Sequence, residues 1–320
     1  MEKVRWGFIG AGNIAKKALY PALMKSEVAE IYAVAARDET RAKELSPSGK
    51  TYGTYDELLA DPMVEAVYIS LPNSLHIPWS IKAMQAGKHV LCEKPLAMNA
   101  EELQSALDVK EKTGVYFMEA SWNRWHPRTI RFKELYDSGV IGEAKSIRSC
   151  FTYDGLPMDS IQTEPELGGG GTYDLGSYSL VAPLWLMDFA AHDDVETEVT
   201  WHSKGTDETV RTTFMIGSAT AETVTSMNTP ETLYFDVTGE FGSLSMPGNQ
   251  AFNSHNEASV LEITINGEKS FENFEACDPY LLMADAFSRR IRGQEGWLMP
   301  LSESLAFSEF FDEVFATFKN

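Results

Sequence analysis

The chain has 320 residues, of which 43% are hydrophobic and 23% are charged, so it can bury two cores of ordinary size. Its net charge of −20 disfavours nucleic acids and anionic membranes as partners, and the lack of any run of about 18 apolar residues argues against a membrane span. Three widely spaced cysteines argue against a disulfide framework. Because strand-like sequence follows Lys3 directly, we expect no signal peptide and a cytoplasmic location.

Short apolar segments alternate with amphipathic helical segments over the first part of the chain, which predicts βαβ units and a parallel sheet. The predicted strands are Val4–Ile9, Glu30–Ala36, Ala66–Leu71, Lys88–Cys92 and Val115–Met118. The predicted helices are Ile14–Lys25, Glu39–Leu45, Tyr55–Leu59, Leu75–Ala86 and Ala100–Lys112. We therefore predict a dinucleotide-binding Rossmann domain, a doubly wound parallel α/β sheet, over residues 1–120.

After residue 120 the pattern changes to one typical of an α+β domain. A strand is predicted at Ala144–Tyr153, and residues 195–274 are mostly β with alternating apolar and polar side chains. The predicted helices are Pro127–Tyr136, Tyr173–Met187, Tyr280–Arg292 and Ser302–Lys319. We predict a second domain over residues 121–320 with a large, mostly antiparallel open sheet, and with the last helix free to pack back on the first domain.

The first predicted strand runs into a sequence typical of a pyrophosphate-binding turn, Gly10-Ala11-Gly12-Asn13-Ile14-Ala15. Gly10 permits the tight turn, Gly12 lets the backbone approach a phosphate, and Ala15 is small enough for the helix to pack on the strand. The amides at the start of that helix would then face the pyrophosphate. Residues 10–14 are therefore predicted to bind a dinucleotide.

The end of the second strand indicates which dinucleotide binds. An acid there takes the ribose 2′-hydroxyl of NAD, whereas an arginine accommodates the 2′-phosphate of NADP. The strand ends in Arg37, Asp38 follows, and Arg41 lies one helical turn further on, so two guanidinium groups favour NADP over NAD. The alternatives are that Asp38 takes the ribose while Arg37 lies over the adenine, or that Asp38 merely caps the next helix.

Lys94 follows the predicted strand that ends at Cys92, and ligands of open α/β sheets bind at the carboxyl ends of the strands. Near a cationic nicotinamide and partly desolvated, its ammonium would lose a proton more readily and would make a neighbouring hydroxyl easier to deprotonate. The alternative is a surface lysine paired with Glu93. A turn that aims the amine at the ligand would use a cis bond between Lys94 and Pro95, a prediction that rests partly on the family resemblance given next, since the bond is often cis in that family.

With these motifs assembled, the chain resembles the glucose–fructose oxidoreductase / inositol dehydrogenase (Gfo/Idh/MocA) family over nearly its whole length. Within the family it is most similar to dimeric dihydrodiol dehydrogenases and NADP-dependent D-xylose dehydrogenases. The resemblance is carried by Gly10–Ala15, Ala35–Asp38, Leu91–Pro95, Met118–Arg124, Gly168–Gly170 and Asp174–Tyr178. It implies an NADP-dependent oxidoreductase that transfers hydride to or from a cyclic sugar or diol.

The resemblance also implies catalytic residues. Lys94 and Tyr178 would act on the substrate hydroxyl, with Tyr178 as the general base in the oxidation direction and Lys94 stabilising its deprotonated form. Asp174 lies four residues before Tyr178, so the two would share one face of the predicted helix. Tyr178 could equally be a core tyrosine. Most of the wider family has histidine at this position, and the tyrosine favours the dihydrodiol- or xylose-type relatives.

Substrate and cofactor contacts follow from the same resemblance. Trp122 would line the substrate pocket, where an indole stacks well on ring carbons, and Arg124 would add a polar contact. Asn73 and His76 would lie near the nicotinamide ribose, although a histidine there is equally a hydrogen-bonding residue at a helix start. The cofactor site would be completed by Leu71 and Glu93.

Two other functions are compatible with the sequence. A non-catalytic NADP-sensing regulatory module on the same fold would have lost the lysine and hydroxyl pair, which is present here. A reductase of another substrate, such as an anhydro-sugar, differs only in its pocket, because the fold does not determine the substrate. No cluster of His, Cys or acidic residues has the spacing of a metal site, so we expect no metal.

A homodimer through the sheet of the second domain is expected, because the predicted helices suffice to cover only one of its faces. Apolar side chains on the other face would form a patch of the kind that marks an interface, and a two-fold dimer is the commonest way to bury it. The relatives that this chain resembles dimerise through that sheet. The side chains predicted on this free face are Phe214, Ile216, Val224, Phe235 and Val237.

Overall fold

The apolar segments of the N-terminal region form a parallel six-stranded sheet. In the computed structural model, which describes residues 2–158 and 160–318, the strand order is β3-β2-β1-β4-β5-β6. This order, wound outward in both directions from β1 and β4, is that of a Rossmann domain and confirms the predicted fold class. The strands are β1 Val4–Ile9, β2 Ala29–Ala35, β3 Thr51–Tyr52, β4 Ala66–Ile69, β5 His89–Cys92 and β6 Phe117–Glu119.

Helices cover both faces of this sheet, which is why its central strands are continuous apolar runs. Every residue of β4 is buried. One face packs against α3, α4 and α5 around a core that includes Val67, Ile69 and Val90. A π-helical turn at Ala15–Leu19 leads directly into the first α-helix. The helices are α1 Tyr20–Lys25, α2 Glu39–Glu44, α3 Tyr55–Ala60, α4 His76–Gln85 and α5 Ala100–Thr113.

The described residues divide into two compact units, and the division differs from the predicted domain boundary in one respect. The first unit comprises the residues up to Trp122 together with Asp278–Leu305. Helix α9 (Pro279–Ile291) lies in this returning segment. Its Phe287 packs 5.5 Å from Trp6 of β1 (ring centroids), and its Ser288 hydroxyl accepts a 3.1 Å hydrogen bond from the Trp6 indole. An amphipathic pattern predicts such a helix without specifying which sheet it covers.

The second unit contains an eight-stranded sheet in the order β14-β13-β12-β11-β7-β10-β9-β8. Every neighbouring pair is antiparallel except β7 and β10, which run parallel. This confirms the prediction of a large, mostly antiparallel sheet. Its strands are β7 Ala144–Thr152, β8 His192–Trp201, β9 Asp207–Ile216, β10 Ala219–Ser226, β11 Thr232–Gly239, β12 Gly242–Ser245, β13 Ser259–Ile265 and β14 Glu268–Phe274.

Four helices accompany this sheet: α6 Pro127–Asp137, α7 Gly171–Asp174, α8 Ala182–Leu186 and α10 Leu301–Ala316. The prediction of one continuous helix over Tyr173–Met187 was wrong, because the chain leaves the helix after Asp174 and starts a new one at Ala182, with a proline in its first turn. Helix α10 begins in the first unit and ends in the second. Lys319, the predicted end of this helix, lies outside the described residues.

The prediction of which side chains occupy the free face of the second sheet was also wrong. Phe214, Ile216, Phe235 and Val237 are fully buried on the face that the helices cover. Phe235 lies 4.9 Å from Phe132 of α6, and Phe214 lies 4.9 Å from Phe310 of α10 (ring centroids). Because strand side chains alternate between faces, the most apolar set faces the helices that it anchors.

The opposite face of this sheet carries a mixture of polar and apolar side chains. Val224, the one member of the predicted set that lies there, is half-buried and pairs in register with Cys150 of β7. The guanidinium of Arg148 lies 5.1 Å from the ring centroid of Tyr234 and 4.0 Å from the Glu222 carboxylate.

Within residues 2–158 and 160–318, no helix has the length and apolar character needed to span a membrane.

Candidate active site

The turn after β1 requires glycine at its first position. Gly10 has φ +98°, its N–H donates to Ala35 O at 2.9 Å, and an added Cβ would lie 2.9 Å from Ser70 O. An added Cβ on Gly12 would approach nothing closer than Ser70 O, at 3.5 Å, so the chain itself does not require glycine there. Close approach of a ligand phosphate does require it. The turn therefore fits the pyrophosphate of a dinucleotide.

Residues after β2 form the start of α2. Asp38 caps this helix, since its Oδ1 accepts hydrogen bonds from Thr40 N at 2.9 Å and Arg41 N at 3.2 Å. The capping alternative for Asp38 is thus confirmed. Arg37 is exposed and lies close enough to Tyr55 for its charge to oppose the burial that raises the pKa of Tyr55. Arg41 is also largely exposed, with its Nε 3.8 Å from the Asp38 carboxylate.

His76 contacts two segments of the first unit, each of which follows a parallel strand. It is fully buried at the start of α4, with Nδ1 2.7 Å from Pro95 O and Nε2 2.9 Å from Leu71 O. Burial lowers the pKa of His76, and the nearby charge of Lys94 adds to that effect. The imidazole therefore lies between the turn after β4 and the turn after β5, and in its neutral form its one N–H donates to one of the two carbonyls. Its predicted contact with the cofactor, like that of Leu71 and of Asn73 in the preceding 3₁₀ turn, stays a prediction.

The segment after β5 holds Lys94 between buried neighbours. The Lys94–Pro95 bond is cis, which confirms the prediction. Glu93 is 5% exposed, and its Oε1 accepts a 2.5 Å hydrogen bond from the Tyr68 hydroxyl. Burial, together with the Glu93 charge, raises the pKa of Tyr68 well above its usual value. Lys94 is half-buried beside this acid, which is not the setting of an ordinary surface lysine.

The glycine-rich segment before α7 is held by a buried acid. Asp207 Oδ2 accepts hydrogen bonds from Thr172 N at 2.6 Å and from the Thr172 hydroxyl at 2.8 Å. Burial raises the pKa of Asp207 to about 6, although these hydrogen bonds oppose the shift. Gly170 has φ +121°, and an added Cβ would lie 2.1 Å from Asp207 Oδ1. Asp207 thus determines where the segment leading to Asp174 runs.

Asp174 and Tyr178 do not share a helix face, because α7 ends at Asp174 and Tyr178 lies in the turns before α8. The Tyr153 hydroxyl donates to Asp174 Oδ2 at 3.3 Å, and burial together with the Asp174 charge raises the pKa of Tyr153. The ring of Tyr178 is 8% exposed and lies 5.5 Å from Phe151 and 6.1 Å from Phe252 (ring centroids). The ring is packed, and its role as a base stays a prediction.

The two predicted substrate contacts pack in different units. Trp122 is 5% exposed and stacks on Tyr280 of α9 at 5.0 Å between ring centroids. The guanidinium of Arg124 lies 4.8 Å from the ring centroid of Trp185 in α8. Both aromatic contacts fix these side chains, and their contact with substrate remains to be tested. Among the described residues, no group of three or more His, Cys, Asp or Glu side chains is arranged to hold a metal ion.

Three polar residues of these sites were not predicted from the sequence: Glu119, Tyr153 and Asp207. Glu119 carried a signal, since it is an acid at the end of an apolar strand and lies within the segment that carries the family resemblance. The sequence pattern marked Tyr153 only as the last residue of a predicted strand. Asp207 lies far along the chain from the helix start that it holds, and no local pattern links the two.

The fold and these residues define an oxidoreductase with a Rossmann domain. Residues 4–121 match the family described as an oxidoreductase family with an NAD-binding Rossmann fold, and residues 129–245 match the GFO/IDH/MocA C-terminal domain. The chain therefore belongs to the Gfo/Idh/MocA family, as its motifs predicted.

Similar proteins include enzymes of both predicted kinds. D-xylose 1-dehydrogenase (NADP(+)) 2 of Haloferax volcanii is 35% identical over 97% of this chain and 96% of its own length. Trans-1,2-dihydrobenzene-1,2-diol dehydrogenase of Mus musculus is 31% identical over the same shares of the two chains. The crystal structure of KijD10, a 3-ketoreductase from Actinomadura kijaniata in complex with NADP and TDP-benzene, superposes with a TM-score of 0.92 at 27% identity, covering 99% of this chain and 98% of that one.

The close approach of Gly170 to Asp207 can be tested by adding a methyl group. Gly170→Ala is expected to lower the free energy of unfolding by about 2–4 kcal/mol, because a strained φ is combined with a clash at a hydrogen-bonded acid. Gly155→Ala is the matched control, since Gly155 has φ +87° but nothing within 4 Å of the added Cβ. Its expected loss is about 1 kcal/mol. Equal losses in urea unfolding would show that Asp207 moves away without cost.

Proposed function

We propose that this oxidoreductase uses NADP and acts on the hydroxyl or carbonyl carbon of a cyclic sugar or diol. The observation that carries the proposal lies in the first unit, where one sheet edge presents both a turn that requires glycine at Gly10 and the half-buried Lys94. A nucleotide turn and an amine at the carboxyl ends of parallel strands suit hydride transfer coupled to proton transfer. The names of the xylose and dihydrodiol dehydrogenases support this class of substrate.

Arg37 and Arg41 are proposed to bind the 2′-phosphate that distinguishes NADP from NAD. The last residue of β2 is Ala35 rather than an acid, and Asp38 caps α2 through its Oδ1. Both guanidinium groups are exposed at the carboxyl end of β2, where a phosphate would find charge-assisted hydrogen bonds. The xylose dehydrogenase and the 3-ketoreductase both have NADP in their names or bound states, which supports the same choice.

In the proposed chemistry Tyr178 transfers a proton and Lys94 supplies a positive charge. When bound, the nicotinamide cofactor supplies the group that accepts or donates the hydride. In the oxidation direction the Tyr178 hydroxyl, once deprotonated, takes the proton of the substrate hydroxyl, and the Lys94 ammonium stabilises the negative charge on the oxygens involved. Asp174, oriented by the Tyr153 hydroxyl, binds a neighbouring substrate hydroxyl. Trp122 and Arg124 are proposed to contact the remainder of the sugar or diol.

The decisive experiment is a substrate scan. Purified protein is mixed with NADP or NAD and a panel of aldoses and cyclic diols, and the absorbance of the reduced cofactor is followed; keto-sugars with NADPH test the reverse direction. Turnover that is lost in Lys94→Met supports the proposal. NADP binding without turnover on any substrate would instead indicate a cofactor-sensing module. Turnover only of carbonyl substrates such as an anhydro-sugar would indicate a reductase.

Cofactor choice should depend on Arg37. Arg37→Ala is expected to raise the KM for NADP roughly 10- to 150-fold while changing that for NAD little, because a charge-assisted pair with phosphate contributes about 1.5–3 kcal/mol. Lys43→Ala is the matched control, since it removes an exposed cation that pairs with Glu39 on the same helix. Steady-state kinetics with both cofactors measure the effect. Equal weakening of NADP and NAD would rule out the phosphate assignment.

Lys94 and Tyr178 should behave as one functional unit. Lys94→Met and Tyr178→Phe are each expected to lower kcat by about 100-fold or more, which is the usual size of a general acid–base effect. The double variant should lose little beyond the worse single variant, because each residue acts through the other. Tyr178→Phe with near-normal kcat and normal folding would show that this tyrosine only packs against Phe151 and Phe252.

A homodimer through the second unit's sheet is proposed on a revised basis, because the face opposite the helices is not the apolar patch first expected. Arg148 and Glu222 present opposite charges on neighbouring strands, and the half-buried Val224 and Tyr234 lie among them. A face that carries both charges could pair with its own copy across a two-fold axis, which supports the proposal.

Light scattering at micromolar concentration should therefore give a particle of twice 35.6 kDa. Val224→Arg should reduce the mass to that of one chain, since it adds a positive charge beside Arg211, its register partner on β9. Met24→Arg, which adds a charge at an exposed position of α1, should leave the mass unchanged. A wild-type particle of 35.6 kDa would refute the dimer.

A further inference from the structure

Glu119 ends β6 and Lys94 follows the end of β5, and these two strands are parallel neighbours. The parallel register places Glu119 beside Cys92, and Ala120 N donates to Cys92 O at 2.7 Å. Two residues beyond Cys92 the chain reaches Lys94. The two strand ends therefore bring an acid and an amine of the same unit together, although 25 residues separate them in the sequence.

The Glu119 carboxyl is buried and held by neutral donors. It is 4% exposed, and the Ser304 hydroxyl at the start of α10 donates to its Oε2 at 2.6 Å. The Leu96 amide also donates to the carboxyl. Leu96 follows the cis Lys94–Pro95 bond, so this hydrogen bond fixes the acid to the segment that carries Lys94.

The neighbours of Glu119 shift its pKa in opposite directions. Burial raises its pKa to about 7, whereas the hydrogen bonds from Ser304 and Leu96 and the charge of Lys94 oppose the shift, and Glu93 adds to it. The titratable groups that face Glu119 are Cys92, Glu93 and Lys94. Cys92 is fully buried with its thiol pKa raised well above the usual value, so it stays neutral.

Glu93 and Glu119 differ in how they are held. Glu93 accepts a hydrogen bond from the Tyr68 hydroxyl, whose pKa is raised. Glu119 instead accepts from Ser304 and from the amide of Leu96, which lies in the segment that carries Lys94.

We propose that Glu119 is a positioning residue for Lys94: its carboxylate, hydrogen-bonded to the Leu96 amide, holds the segment that carries Lys94 and orients the ammonium, and it loses this effect when it takes up a proton. The inference rests on the proposed function, in which Lys94 acts on the substrate. The carboxylate is present above about pH 7 and is converted to the neutral acid below it. The effect of Glu119 on Lys94 is therefore present at higher pH and fades as the pH falls through 7.

Chemical labelling of Lys94 tests this without cofactor or substrate. The full-length protein is treated with an amine-acylating reagent from pH 6 to 11, and the labelled fraction of Lys94 is read by mass spectrometry. Glu119→Gln should lower the pH of half-maximal labelling by about one to two units, because it removes a nearby negative charge. Glu119→Asp should restore part of the wild-type value. Glu111→Gln, which removes an exposed acid of α5, should have no effect.

The kinetic readout is the pH profile. Wild-type kcat should fall below about pH 7, whereas Glu119→Gln should be lowered roughly tenfold and lose this dependence with little change in KM. If Glu119→Gln does not fold, Ser304→Ala provides the test, since loss of its hydrogen bond favours the neutral acid and should move the fall in kcat to higher pH. Unchanged Lys94 labelling in the folded variant overturns the inference. A labelling shift in a protein inactive on every substrate would instead refute only the proposed function.

Discussion

The parallel register of β1, β4, β5 and β6 is the constraint on which the first unit depends. Because these strands run in one direction and are covered on both faces, their carboxyl ends meet at a single edge. The nucleotide turn, the segment around Leu71, and Lys94 all leave the sheet there. The shared direction of the strands thus places these groups together. The side chains between them fix the short segments that follow each strand.

Buried polar groups perform that task through backbone or hydroxyl partners. His76 lies between the carbonyls of Leu71 and Pro95, and Glu119 is held by Ser304 and the Leu96 amide. In the second unit Asp207 does the same for the glycine-rich segment before Asp174. A buried group of this kind costs free energy unless it is paired, so each one strongly restricts the backbone that pairs with it.

Sequence reasoning succeeded where local pattern and strand-end geometry decide the outcome. The strand–turn–helix around Gly10 follows from a backbone requirement that glycine satisfies, whereas the cis bond after Lys94 was predicted partly from the family resemblance. It failed where packing decides. The apolar pattern over Tyr173–Met187 is compatible with one long helix and with two short ones. Alternation along β9 shows that the strand has an apolar face, but not that the helices cover it. The partners of Asp207 and of Glu119 lie 35 and 185 residues away, beyond any local signal.

The ionisable groups near these segments impose opposing pH dependences on stability. Glu119 and Asp207 have folded-state pKa values of about 7 and about 6, raised by burial, so the stability they contribute is full at low pH and is lost as the pH rises through those values. Burial lowers the pKa of His126 to about 4, so its contribution is present above its usual value and is lost as the pH falls towards 4. Each shift corresponds to about 3 kcal/mol. Near neutral pH the two acids are therefore partly or largely ionised, at a cost in stability relative to their neutral forms.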